Sequence, residues 1–182
     1  VAAFGLLAMG CAEKVKIDVR PESLLMKVDD IQDESCGPWE SEGVRHGDKK
    51  RGAVATSLIR WETPDGCEVG MSVFSYGDTG DAKSAFKKQG PRQWWGDIWP
   101  YDPVKVEVTV PVAADAHELL CIGGSGEPGC FNWAYWARYG SHLVELESFG
   151  LDRQDRYVSK EAFMRTLGNM DSRMVTMLKQ SQ

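Results

Sequence analysis

The sequence predicts an α+β domain, a mainly antiparallel sheet with helices on one face. Three observations carry this. Residues 53–62 and 67–77 read as β-branched, partly alternating strands joined by the turn residues Thr63-Pro64-Asp65-Gly66. A second pair, 130–140 and 141–150, turns at Tyr139-Gly140-Ser141. Residues 159–180 repeat Phe163, Leu167, Met170, Met174 and then Met177 or Leu178, which places one apolar stripe along a long helix.

The remaining elements follow in chain order. Residues 12–20 read as a short tether. Pro21 suits the first turn of a short helix whose apolar face is Leu24, Leu25 and Val28. Residues 35–52 are rich in turn formers and read mostly as loop. After the first hairpin, residues 78–90 carry Ala82, Ala85 and Phe86 on one helical face and stop at Gly90. The stretch Val104 to Val110 alternates strictly through Val104, Val106, Val108 and Val110 and reads as a strand. Residues 116–122 read as another. Ser159 is the expected N-cap of the last helix.

The two strand–strand–helix units can be overlaid. Trp61, Val69, Met71 and Phe74 align with Trp136, Val144, Leu146 and Phe149 at one constant offset. A small slip then aligns Ala85-Phe86 with Ala162-Phe163. This predicts two pseudo-repeated ββα units, whose helices share one face of a common sheet.

The chain has 182 residues, a formal net charge of −6 and a pI near 5.1. That length suits one domain with its own core, here residues 21–182. The acidic balance argues against nucleic acid as a partner. Five cysteines occur. If Cys11 is modified, Cys36, Cys67, Cys121 and Cys130 remain, an even set that reads as disulfides outside the reducing cytoplasm. Four cysteines allow three pairings. The favoured one closes the glycine-rich loop 121–130 with Cys121–Cys130 and leaves Cys36 with Cys67. The spacings hold no C-x-x-C pair, so zinc is not expected, and no other metal or cofactor is implied.

Val1 to Met9 is too short to cross a bilayer but suits the apolar core of a secretory signal. Leu7-Ala8-Met9-Gly10-Cys11 resembles the lipobox of bacterial lipoproteins. That resemblance implies residues 1–10 as a signal peptide, cleavage before Cys11, and acylation of its thiol. Residues 11–20 would then be a lipidated tether to the bacterial cell membrane, with the domain on its extracytoplasmic side. A further resemblance lies in residues 74–86, the late cysteine pair, residues 136–150 and the closing helix. Together these resemble small actinobacterial secreted lipoproteins and the extracellular sensor domain of mycobacterial Ser/Thr kinases. It implies an α+β domain with two disulfides and a ligand cleft.

No catalytic signature emerges. The three histidines, His46, His117 and His142, lie in no recognisable motif and read as surface residues. Gly124, Gly126 and Gly129 match a dinucleotide-binding spacing, but a strand pattern rather than a helix follows them. Glu145 and Glu147 share one strand face and read as solvated. The best binding signal is Trp94, Trp95, Trp99 and Tyr101 in a proline-rich connection, where the rings would line a groove or fold back over the sheet. The sequence therefore points to a non-enzymatic, membrane-tethered domain. Its partners would be membrane lipid through acylated Cys11 and a small ligand or envelope protein. Two alternatives are an envelope hydrolase using His46 or His117 as base, and a purely structural interaction protein.

Overall fold

The structure is a computed structural model, and it describes residues 19–33, 35–47, 52–91, 103–123, 130–149 and 157–180. Among these, eight strands form one antiparallel sheet, flanked by three α-helices and a short 3-10 turn. The strands are β1 (Glu40–Ser41), β2 (Arg45–Gly47), β3 (Ala55–Glu62), β4 (Glu68–Ser75), β5 (Val104–Val106), β6 (Ala116–Gly123), β7 (Cys130–Tyr139) and β8 (His142–Phe149). The helices are α1 (Pro21–Leu24), α2 (Thr79–Lys88) and α3 (Lys160–Lys179), and the 3-10 turn is Val28–Asp30. The sheet order is β1-β3-β4-β8-β7-β6-β5, with β2 also pairing β3.

Both hairpins form where turn chemistry allows. The β3–β4 turn passes through Gly66 at φ +87°, and the β7–β8 turn through Gly140 at φ +59°. A side chain at either site would force the left-handed region, which glycine enters freely. The hairpins meet at the centre of the sheet, where β4 pairs β8 from Glu68↔Phe149 to Ser75↔His142.

The front face of the sheet carries Trp61, Val69, Met71, Val73, Leu119, Tyr135 and Leu146, all essentially buried. Helix α3 covers it. Ser159 caps the helix by accepting from the Ala162 N–H at 3.1 Å, and Lys179 suits the negative C-terminal end. Its stripe is buried through Phe163, Leu167, Met170 and Met174, while Met177 and Leu178 pack on the core half-buried. The Phe163 ring stacks on Trp133 at 5.9 Å. Helix α1 and Val19 join the same core. In α1, only Pro21–Leu24 is helical, and Val28 is exposed at the 3-10 turn.

Helix α2 lies on the other face. Its Ala82, Ala85 and Phe86 pack with Phe74, Trp136 and Leu143, apart from the front core. The Trp136 Nε1–H donates to the Phe86 carbonyl at 3.2 Å, and the two rings stack at 6.3 Å. Trp133 and Trp136 are three positions apart on one strand, so they project to opposite sides. The helices thus flank both faces, which corrects the expectation of one. The overlay of two ββα units fails for the same reason. In the first hairpin Trp61 pairs Val69, whereas in the second Trp136 pairs Glu145. That one-residue difference of register turns Trp61 to the front and Trp136 to the back. The hairpins correspond in their second strands only: Val69, Met71, Val144 and Leu146 all face front.

The strand expected over Val104–Val110 also stops early, at Val106. Its alternation is real, since Val106, Val108, Val110, Val112 and Ala114 are half-buried against the front core. However, β5 meets β6 only from Val104↔Cys121 to Val106↔Leu119. The chain then leaves the ladder and is drawn to α3. There the Ala113 N–H donates to the buried Asp171 carboxylate at 2.9 and 3.1 Å. Residues 35–52, read as loop, contain the short edge strands β1 and β2.

Two disulfides join Cys36 to Cys67 and Cys121 to Cys130, with Cα–Cα distances of 5.9 and 5.5 Å. The first closes a separation of 31 residues and the second one of 9. In the chain-entropy model the longer loop stabilises by about 1 kcal/mol more than the shorter. Paired Cys→Ala replacement should show that difference in urea denaturation, with loss of Cys36–Cys67 the more costly. The two-layer core makes a second prediction. Leu167→Ala, in the front core, should cost about 2–5 kcal/mol, and Phe86→Ala, half-buried behind, about 1–2 kcal/mol. Because the sheet separates them, the double mutant should be additive to within about 0.5 kcal/mol. Coupling above about 1 kcal/mol would contradict separate layers.

Candidate functional site

The hydrolase alternative depends on the histidines. His46 is exposed on edge strand β2, with Nδ1 3.2 Å from the Ser57 hydroxyl. His117 is exposed on β6, and its ring stacks on Tyr135 at 6.0 Å. His142 departs from the surface position expected of it: it is 6% exposed. It pairs across the centre of the sheet with Ser75, whose hydroxyl is 2.9 Å from Nδ1. Burial pushes the His142 imidazole down to about 4, so it is neutral near pH 7. Ser75 is fully buried, so this serine–histidine pair has no path to a substrate. Among the described residues, no histidine joins a nucleophile and an orienting group in a cleft. Nor does any group of three or more His, Cys, Asp or Glu there suit a metal ion.

A second polar cluster lies between the front face and α3. Asp171 is 6% exposed and accepts from the Tyr139 hydroxyl at 2.7 Å as well as from the Ala113 N–H. Burial raises the Tyr139 phenol far above its ordinary value, and the Tyr135 phenol likewise. Both stay protonated, and neither reaches solvent, so the cluster holds structure rather than chemistry. Glu145, expected on a solvated face, is instead buried on the back of β8 at 3% exposure. Glu68 is half-exposed. Burial raises its carboxyl above the ordinary value, although Arg60 pairs with it at 2.7 Å and acts in the opposite direction.

A concave feature among the described residues lies outside the sheet. Helix α3 is laced to residues 25–32 by Arg165 to the Gln32 carbonyl, Thr166 from the Gln32 N–H, Asn169 to the Asp30 carbonyl, and Arg173 to the Leu25 carbonyl. These side chains recur at helical spacing, so one stripe of α3 faces the segment. At its C-terminal end a shallow cleft of about 330 Å³ opens, lined by Asp30, Asn169, Ser172, Arg173, Thr176 and Met177. Met177 is expected from the sequence only as part of the apolar stripe, and none of these residues is expected to bind a ligand. Their only signal was a polar i, i+4, i+8 series at 165, 169 and 173, beside the apolar stripe. Trp94, Trp95, Trp99, Tyr101 and Cys11 lie outside the described residues, as does the loop 124–129.

No protein-family model matches this chain, and no curated protein matches it. A solved structure does. The fold is similar to the crystal structure of the extracellular domain of PknH from Mycobacterium tuberculosis. The TM-score is 0.51, the identity 10%, and the match covers 85% of this chain and 94% of that one. At this identity the likeness concerns the fold alone. It agrees with the α+β class that the sequence resemblance implies, and the two disulfides are present in this chain itself.

The buried histidine sets a pH dependence. In the unfolded chain the imidazole has its ordinary value near 6.5, against about 4 when folded. As pH falls, the unfolded state takes up the proton first. His142 therefore contributes nothing adverse above about pH 6.5 and costs stability progressively down to about pH 4, up to about 3 kcal/mol in all. Urea midpoints measured at both ends of that window should show the loss. His142→Gln should remove most of it.

Proposed function

We propose that this chain is a membrane-anchored lipoprotein whose extracytoplasmic domain, residues 21–182, binds a ligand or partner without catalysing a reaction. The observation that carries the location is the pair of disulfides, Cys36–Cys67 and Cys121–Cys130. Such bonds persist in oxidising compartments and are rare in reducing ones. The likeness to an extracellular domain supports the same placement. No helix among the described residues is long and apolar enough to cross a membrane. Attachment through acylated Cys11 would supply the anchor. Two or more acyl chains hold a protein stably where one binds only marginally.

The non-catalytic reading is supported by the histidine geometry. Two histidines are exposed on strands and the third is sealed in the core. In the sequence, residues 92–102 fall between α2, which lies on the back of the sheet, and β5, an edge strand. Trp94, Trp95, Trp99 and Tyr101 are on that connection and would line a ligand groove there.

The anchor is tested in the native host, with the natural leader in place. A clickable fatty acid should label the chain, and Cys11→Ala should abolish the label and move the protein out of the membrane fraction. Labelling that survives Cys11→Ala, or mature chains that still begin at Val1, would overturn the anchor. The binding role is tested separately, by following tryptophan emission during a ligand screen. Trp94→Phe and Trp95→Phe should remove the response while leaving thermal unfolding nearly unchanged.

A further inference from the structure

The cleft beside α3 holds two opposite charges that do not meet. Arg173 is half-buried, and its Nε–H donates to the Leu25 carbonyl at 2.7 Å. That bond orients the guanidinium and leaves both terminal amino groups without a partner among the described residues. Across the cleft, one Asp30 oxygen accepts from the Lys27 N–H at 2.7 Å, which fixes that carboxylate in turn. The other Asp30 oxygen takes no hydrogen bond, and no ion pair joins Asp30 to Arg173 among the described residues. Each charge is thus held by its own backbone bond, and the two line one cleft without forming an ion pair.

The remaining lining is short of donors. The Ser172 hydroxyl donates to the Gly168 carbonyl at 2.9 Å, and the Thr176 hydroxyl to the Ser172 carbonyl at 2.8 Å. Asn169 spends an amide N–H on the Asp30 carbonyl at 3.1 Å. What these three groups offer a ligand is chiefly oxygen lone pairs, with Met177 adding an apolar wall. A simple anion would meet Arg173 but be repelled by Asp30. A simple cation would meet the reverse. A molecule carrying both an acid and an ammonium group satisfies both ends, and its N–H bonds suit the oxygen-rich lining.

We propose that this cleft binds a small zwitterion of the amino-acid type, its carboxylate forked on Arg173 and its ammonium on Asp30. A bidentate guanidinium–carboxylate contact gives the acid end its direction. The volume, about 330 Å³, is at the lower end of small-molecule sites and fits a free amino acid or the end of a peptide. None of the lining residues belongs to 92–102, and the inference stands whether or not Cys11 is acylated.

The test uses the full chain and four probes, followed by NMR at the Asn169, Arg173, Thr176 and Met177 amides and the Arg173 Nε–H. Alanine carries both charges, N-acetylalanine only the acid, and alaninamide only the ammonium. Alanine should shift these signals, with each single-charge probe at least about tenfold weaker. Alanyl-alanine separates the two charges further, so tighter binding of the dipeptide identifies a peptide end as the source and tighter binding of alanine a free amino acid. Asp30→Asn keeps an acceptor for the Lys27 N–H, so the fold is retained. It should abolish the preference for alanine over N-acetylalanine. Arg173→Lys keeps the charge but loses the fork, and should weaken alanine and N-acetylalanine alike. The proposal is overturned if no probe moves these signals, if all probes bind equally, or if Asp30→Asn leaves the preference intact.

Discussion

The architecture rests on the double-sided burial of β7. Trp133, Ala134, Tyr135, Trp136 and Ala137 run consecutively, and all are at most 2% exposed. Neighbouring residues of a strand point to opposite sides, so five consecutive buried residues require cover on both. One helix cannot supply that. Trp133 and Tyr135 take the front, where α3 lies, and Trp136 takes the back, where α2 lies. The same demand places β7 between β6 and β8 rather than at an edge. Both tryptophans also have an indole N–H to satisfy. Trp133 donates to the Val158 carbonyl at 2.9 Å and Trp136 to the Phe86 carbonyl at 3.2 Å. Each bond reaches a layer that covers the strand, so the hydrogen-bond requirement of the indoles also fixes where the covers sit.

Asp171 makes a comparable demand within α3. A carboxylate in a helix interior at 6% exposure is costly to desolvate unless donors surround it. Here the Tyr139 hydroxyl and the Ala113 N–H provide them. The first comes from the sheet and the second from the strap 107–114, so one buried side chain ties three parts of the chain. This also explains how Val106, Val108, Val110 and Val112 come to lie against the core with only Val106 in a strand. The alternation is met by packing, while the backbone is free of a ladder because Asp171 pulls the chain away from β6.

Much of the fold was legible because it depends on local patterns. The hairpins followed from alternating residues around Gly66 and Gly140, α2 from its Ala82, Ala85 and Phe86 face with Gly90 as the stop, and α3 from the Ser159 cap with an apolar stripe behind it. Layer assignment was not local. The overlay of Trp61 on Trp136 matched residue types but not register, and register decides the face a side chain takes. A usable signal was present: residues 133–137 form an unbroken apolar run, the mark of a strand covered on both sides, where an alternating strand would be expected for one. His142 and Glu145 were misplaced for a related reason. Polar type suggested the surface, but both lie on the central strand β8, where neighbours on either side leave little room for solvent.

The candidate cleft was invisible for a different reason, one that bears on how such sites arise. Its charges, Asp30 and Arg173, are far apart in sequence and belong to elements that meet only because α3 is laced to residues 25–32. That lacing uses side chain to backbone bonds, which run beside the apolar contacts of Leu25, Met26 and Ile31 without filling the surface above them. At Thr166 and Asn169 the segment sits close; at Arg173 the long side chain spans the gap to the Leu25 carbonyl and leaves space beside it. An arginine used as a strut keeps most of its donors unspent. The scaffold therefore produces a fixed cation at a surface hollow as a by-product of fastening its N-terminal segment, and Asp30, fixed by its own bond to Lys27, gives that hollow a second pole.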